Sequence, residues 1–259
     1  MVVADVILII SRGGGAFFSR WAHVVVGITW IGLLYYFNFV QVPAFAEMDP
    51  AARNNAIDKL ASRALWWFRW AAALTVLTGL SILLFQQDSK LDAQLFSGDY
   101  WKSTPGMSIA TGILLALTMF ANVWLVIWPN QKKVIANARN VQAGGDADPA
   151  AAPAGRRAGL ASRQNTIYSF AMLMFMVGTS HFFYSGNGFK ALPSGGDRAT
   201  YWIIAIVIWG LFELNALGVI GGTGQNATNW MYESHKNALI TGGALVVIYY
   251  LLFYLVLKS

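Results

Sequence analysis

Two histidines, His23 and His181, stand near the ends of apolar runs, and each has a glycine one helical turn deeper, Gly27 and Gly178. Imidazole is a common metal ligand, and glycine beside it lets a neighbouring helix or the flat face of a cofactor come close. Counted from the ends of their runs, the two imidazoles reach a similar depth at 1.5 Å per residue. One histidine on each of two facing helices, with small residues alongside, suits haem b held by two axial histidines, which would make His23 and His181 ligands of the haem iron. A plainer alternative is two interface histidines hydrogen-bonded to backbone or water. The third histidine, His235, lies toward the opposite face in Trp230–Lys236 and reads as part of an interface collar.

A second set of polar residues lies toward that opposite face. His23, Gly27, Trp30, Leu34, Asn38 and Gln41 recur at steps of three or four, so one helical face carries them all. Asn38 and Gln41 close that face, Arg69 enters the next apolar run, Asn122 lies in the third, and Glu213 and Asn215 lie in the fifth. Ionisable residues inside a bilayer are costly unless partnered. Asn38, Gln41, Arg69 and Glu213 are therefore expected to share an inner polar pocket. Its content is either an Arg69–Glu213 ion pair closed by amides, or a proton path or polar substrate pocket opening inward.

The elements that must position these groups are long and apolar. Of 259 residues 56% are hydrophobic and only 12% charged, half the charge of a soluble domain. A hydrocarbon core about 30 Å thick needs roughly 20 apolar helical residues. Six stretches qualify: 21–43, 64–85, 107–128, 167–184, 201–220 and 238–257. The expectation is an all-α, polytopic membrane bundle of six transmembrane helices forming a single membrane domain over 1–259. Val6–Ile10 is too short to span and reads as an interfacial segment. Calling the N-terminal side A, side B carries eleven Lys and Arg and side A seven. The positive-inside rule then places side B in the cytoplasm and both termini outside. Residues 142–155, QAGGDADPAAAPAG, lack large apolar side chains, which predicts a mobile cytoplasmic linker over about 136–160.

What is missing narrows the chemistry. The absence of cysteine removes disulfides, zinc–thiolate sites, iron–sulfur clusters and c-type haem attached to this chain. No phosphate-binding GxxxxGK[ST] loop or GxSxG elbow occurs. The net charge of +6 sits in loops that would face anionic lipid, so nucleic acid is not needed to explain it.

Three segments together carry a family resemblance: HVVVGITWIGLLYYFNFVQVPAF (His23–Phe45), WLVIWPNQKKVI (Trp124–Ile135) and SRQNTIYSFAMLMFMVGTSH (Ser162–His181). In this order they resemble the membrane domain of the cytochrome-c-linked bacterial urate oxidases, the integral-membrane urate hydroxylases. The PNQKK and SRxNT pieces are the most specific. The resemblance implies a multi-pass oxidoreductase of the bacterial cytoplasmic (inner) membrane, acting on urate or a similar small substrate. Members of that family carry a c-type cytochrome domain after the membrane domain. Ser259 follows the sixth span with no CxxCH in the sequence, so the expected partner is an external cytochrome c or a larger membrane complex. The alternative is a non-catalytic accessory subunit of a respiratory or photosynthetic assembly.

Overall fold

The computed structural model describes residues 12–87 and 93–258; the expected interfacial segment Val6–Ile10 lies outside them. Six long helices run back and forth between two ends of one bundle. We label them α1 (12–47), α2 (50–85), α3 (104–142), α4 (Ala151–His181), α5 (Gly195–Ala216) and α6 (His235–Leu257). Among the described residues no strand forms; two isolated bridges, Gln87 with Ala93 and Phe189 with Lys258, close turns.

Five of these helices, all but α4, are long and apolar enough to cross a membrane, which marks a multi-pass membrane protein. The exception has a structural reason. α4 forms the axis of the bundle, and its buried face is polar as well as apolar, with Gln164, Asn165, Thr166 and Ser169 all at 0% exposure. A helix wrapped by its neighbours is shielded from lipid and can carry groups that pair with those neighbours. Thus α4 meets α3 through Thr179 Oγ1 to Ser108 Oγ at 2.9 Å, and α5 through Tyr168 OH to the Trp209 carbonyl at 2.6 Å. A Cβ on Gly242 of α6 would come within 2.8 Å of the Phe170 ring. That glycine is what lets α6 lie so close.

α3 and α5 run parallel and are tied by a ladder of three cross-helix hydrogen bonds. Thr111 and Tyr201 hydroxyls lie 2.7 Å apart, Trp209 Nε1 donates to Thr118 Oγ1 at 2.9 Å, and Asn122 Nδ2 donates to Glu213 Oε2 at 3.3 Å.

α2 and α3 are 36 and 39 residues long, about 54 and 58 Å at 1.5 Å per residue, well beyond a 30 Å hydrocarbon core. The surplus projects at side B as polar extensions of α1 to α4. Each of the first three helices carries a π-helical turn on the way: Tyr36–Gln41, Ile57–Ala61 and Asn122–Ile127. A widened turn rotates everything beyond it relative to a 3.6-residue repeat. In the side-B extension, outside the 64–85 span, Asp58 bridges Lys59 Nζ at 2.7 Å and Arg139 Nε at 2.5 Å. These two cations hold its carboxyl below the usual carboxylate range.

The expected linker at 136–160 is helical over most of its length, leaving only 143–150 irregular. The turn is pinned by its own amides: Asn140 Nδ2 donates to the Asp146 carbonyl and Asn137 Oδ1 accepts from Asp148 N, both at 2.6 Å. Gly144 takes the left-handed φ of +86° that such a helix ending needs. Alanine-rich flanks with little apolar surface of their own become helix here because α3 and α4 pack on each other.

Candidate functional site

The predicted residues separate into two regions at opposite ends of the bundle. At side A, His23 Nδ1 lies 2.9 Å from the Thr75 carbonyl and 3.2 Å from Thr78 Oγ1 on α2. Its Cε1 packs over Gly79, where a Cβ would sit 3.1 Å away. His181 Nδ1 lies 3.1 Å from the Val177 carbonyl of its own helix. A backbone carbonyl at Nδ1 selects the tautomer with its lone pair on Nε2, and no hydrogen bond engages Nε2 of either ring among the described residues. These contacts seat His23 against α2, while His181 is exposed at the end of α4.

The two glycines differ. No atom lies within 4 Å of the place a Cβ on Gly27 would occupy, so that position is open. Gly178 is filled: a Cβ there would come to 2.5 Å from Cδ2 of Phe183 and closer still to Cε2. Phe183 is 1% exposed and stacks among Phe175, Phe189 and Phe253. The expectation that Gly178 admits a cofactor ring is thus corrected; it admits a phenylalanine from its own chain.

Among the described residues, α1 and α4 are hydrogen-bonded in their side-B halves, where Tyr35 OH meets Ser169 Oγ at 2.9 Å and Asn38 Nδ2 donates to Ser162 Oγ at 2.9 Å. Following the same helical faces toward side A leads to Val24 and Ile28 on α1 and to Leu173 and Val177 on α4. All four are exposed. At the side-A ends of α2, α3 and α4 lies a separate cavity of about 440 Å³, with Gln86, Gln94, Ser103, Thr179 and Ser180 in its wall. Tyr100 also lines it, its hydroxyl pushed up to about 12 by burial.

At side B a cavity brings together Asn38 and Gln41 of the four residues expected in the inner polar pocket, and neither Arg69 nor Glu213 lines it. This cavity of about 260 Å³ between α1 to α4 is lined by Asn38 and Gln41, joined by Gln131, Ser162, Arg163 and Phe68. Asn38 is held by Leu34 O and Ser162 Oγ, whereas Gln41 Oε1 is buried without a partner. Arg156 lines the cavity as well but is spent on Glu233, at 2.5 and 3.1 Å, and on the carbonyls of Thr223 and Gly224. Among the described residues Arg163 donates to the Tyr232 carbonyl alone. It brings the cavity a cation without a carboxylate bonded to it.

Arg69 and Glu213 are elsewhere, and the expected ion pair between them does not form. Arg69 lies flat on Trp128, its Cζ 3.4 Å from the ring centroid. Glu213 takes its hydrogen bond from Asn122, which also donates to Asn165 Oδ1 at 3.0 Å. The two side chains face different neighbours across α3, which hydropathy on separate helices could not reveal. Among the described residues no group of three or more His, Asp or Glu gathers as a metal site.

Residues 93–212 match the family model for the urate oxidase N-terminal domain. The match relates this part of the chain to urate oxidase, and it contains two of the three resembling segments, Trp124–Ile135 and Ser162–His181. No curated protein and no solved structure matches. Against this urate oxidase relation, the lining of the side-B cavity takes on a pattern: Ile127 and Gln131 come from the first of these segments and Ser162 and Arg163 from the second, while Phe37, Asn38 and Gln41 belong to His23–Phe45. Gln131 and Arg163 were the missed members. Their signal was present in PNQKK and SRQNT, but only as motif spelling, with no periodicity to aim them inward.

Proposed function

We propose that this chain is a six-span oxidoreductase of the bacterial cytoplasmic membrane, related to the cytochrome-c-linked urate oxidases, with both termini outside. The observation that carries the reading is the side-B cavity, lined by side chains from all three segments of the resemblance. α4 counts as the sixth span because its shielding explains its lower hydropathy, and the excess of Lys and Arg at side B supports a cytoplasmic placement.

The cavity suits a small planar anion that bears several hydrogen-bonding edges, as urate does. Arg163 supplies charge, Gln41, Gln131 and Asn38 supply amide donors and acceptors, and Phe37 and Phe68 supply flat apolar walls. Substrate then enters from the cytoplasm. Toward the outer face, His23 and His181 would be the ligands of haem b, beside open Gly27. Haem held there would supply one-electron chemistry, and an external cytochrome c would be the acceptor. The chain's own part is to hold both imidazoles by Nδ1 and to keep the substrate cavity at the opposite end.

The test is the dithionite-reduced minus oxidised spectrum of the purified protein together with urate binding. A b-type band that His23→Ala and His181→Ala each abolish or shift, and urate affinity that Arg163→Gln weakens, are the expected results. A flat spectrum from folded protein refutes the redox reading and turns attention to an accessory role. Urate binding untouched by Arg163→Gln refutes the placement of substrate.

A further inference from the structure

Arg69 is a buried cation without an anion. It is 8% exposed, its Nε and Nη1 are buried with no hydrogen-bond partner, and no carboxylate pairs with it among the described residues. Stacking on Trp128 at 3.4 Å, with Trp124 at 6.0 Å, satisfies the face of the guanidinium through cation–π attraction. It does nothing for the N–H donors, which lie in the guanidinium plane. With Nε and Nη1 covered, Nη2 is the open end of the fork.

A second cation attends the same ring. Lys132, one turn further along α3, places Nζ 5.7 Å from the Trp128 centroid, and no carboxylate pairs with it either among the described residues. Two cations thus attend one indole, and among the described residues neither has a carboxylate, a combination that favours an anion meeting both. Their surroundings fix the depth. Trp66, Trp67 and Trp70 are 48%, 60% and 46% exposed on α2, and Trp70 packs against Trp124 at 5.6 Å. A belt of exposed indoles belongs at the headgroup level of a bilayer, and at side B this belt surrounds Arg69. The anion available at that depth is a lipid phosphate.

We propose that Arg69, Lys132 and Trp128 form a binding site between α2 and α3 for the phosphate group of an anionic phospholipid in the side-B leaflet. Arg69 Nη2 and Lys132 Nζ would donate charge-assisted hydrogen bonds to the phosphate oxygens. The exposed tryptophans would flank the headgroup and glycerol, and the acyl chains would lie along the apolar outer surface of α2. The site is distinct from the side-B cavity and does not depend on the redox reading.

The test uses the purified full chain in nanodiscs of phosphatidylglycerol mixed with phosphatidylcholine. Native mass spectrometry counts the lipids retained on release, and thermal unfolding in detergent is followed with phosphatidylglycerol, phosphatidylcholine or inorganic phosphate added. The expected result is selective retention of phosphatidylglycerol, at least about tenfold weaker in Arg69→Gln, weakened also in Lys132→Gln, and unchanged in Arg53→Gln at another side-B position. Should Arg69→Gln fail to fold, Arg69→Lys and Lys132→Gln carry the comparison. Equal retention of both lipids, or retention unaffected by both positions, overturns the proposal. Stabilisation by inorganic phosphate equal to that by phosphatidylglycerol also overturns it, since the site would then take a free anion.

Discussion

Replacing Gly178 with alanine separates packing from cofactor binding in one step. In an exposed helix the substitution stabilises by about 1 kcal/mol, because glycine is the poorer helix former. At position 178 the new methyl would overlap the Phe183 ring, at 2.5 Å from Cδ2. That ring cannot retreat: its centroid lies 5.5 Å from that of Phe175, 5.6 Å from Phe189 and 4.6 Å from Phe253. Overpacking a rigid core costs about 1–3 kcal/mol, and enclosure by three rings puts this case at the upper end. The net expectation is a loss of about 2 kcal/mol once the helix gain of about 1 kcal/mol is deducted. Equilibrium unfolding by dodecyl sulfate in mixed micelles, followed by far-ultraviolet circular dichroism, measures it. In a Phe183→Leu background the ring is gone, and Gly178→Ala should become neutral or stabilising, giving a coupling of about 2–3 kcal/mol between the two positions. A single Gly178→Ala variant as stable as the parent, or a pair without coupling, refutes the packing argument. Gly27→Ala supplies the contrast, because nothing lies within 4 Å of its new methyl; it should stabilise by up to about 1 kcal/mol, the ordinary helix gain.

Two further expectations concern charge. Among the described residues Glu213 has an amide donor and no cationic partner, so Glu213→Gln keeps an acceptor for Asn122 while removing a charge that is expensive to bury. It should match or exceed the parent in the same unfolding assay, and a loss above about 2 kcal/mol would reveal a cation the carboxylate depends on. Asp58 is held below its ordinary range by Lys59 and Arg139, so its stabilising contribution is present above the unfolded carboxylate value and is lost as pH falls through the depressed folded value. Unfolding midpoints followed from neutral pH into the acid range should show that loss in the parent and not in Asp58→Asn. Identical pH profiles for the two would remove the bridge from the account.

Much of this architecture is legible in the sequence because lipid imposes one rule on every residue in it. Backbone groups in hydrocarbon must be paired within their own segment, so a run of some twenty apolar residues has no option but helix. The stretches around Trp30, Trp70, Leu115, Trp209 and Tyr249 were therefore readable without tertiary information. The polar residues inside them were equally visible as the places to seek function. Their partners were not. Hydropathy says that Arg69 and Glu213 both lie within the bundle, but α3 stands between their surroundings, and each found its neighbour there, Trp128 for one and Asn122 for the other. The π turns in α1, α2 and α3 shift the faces beyond them, which no regular repeat anticipates. Gly178 shows the same limit: a glycine permits a close approach, and only the packing of the chain decided that Phe183 makes it. Segment character follows from solvation, which acts residue by residue and can be summed along a chain. Contact between helices follows from shape and rotation, which exist only once the bundle has closed.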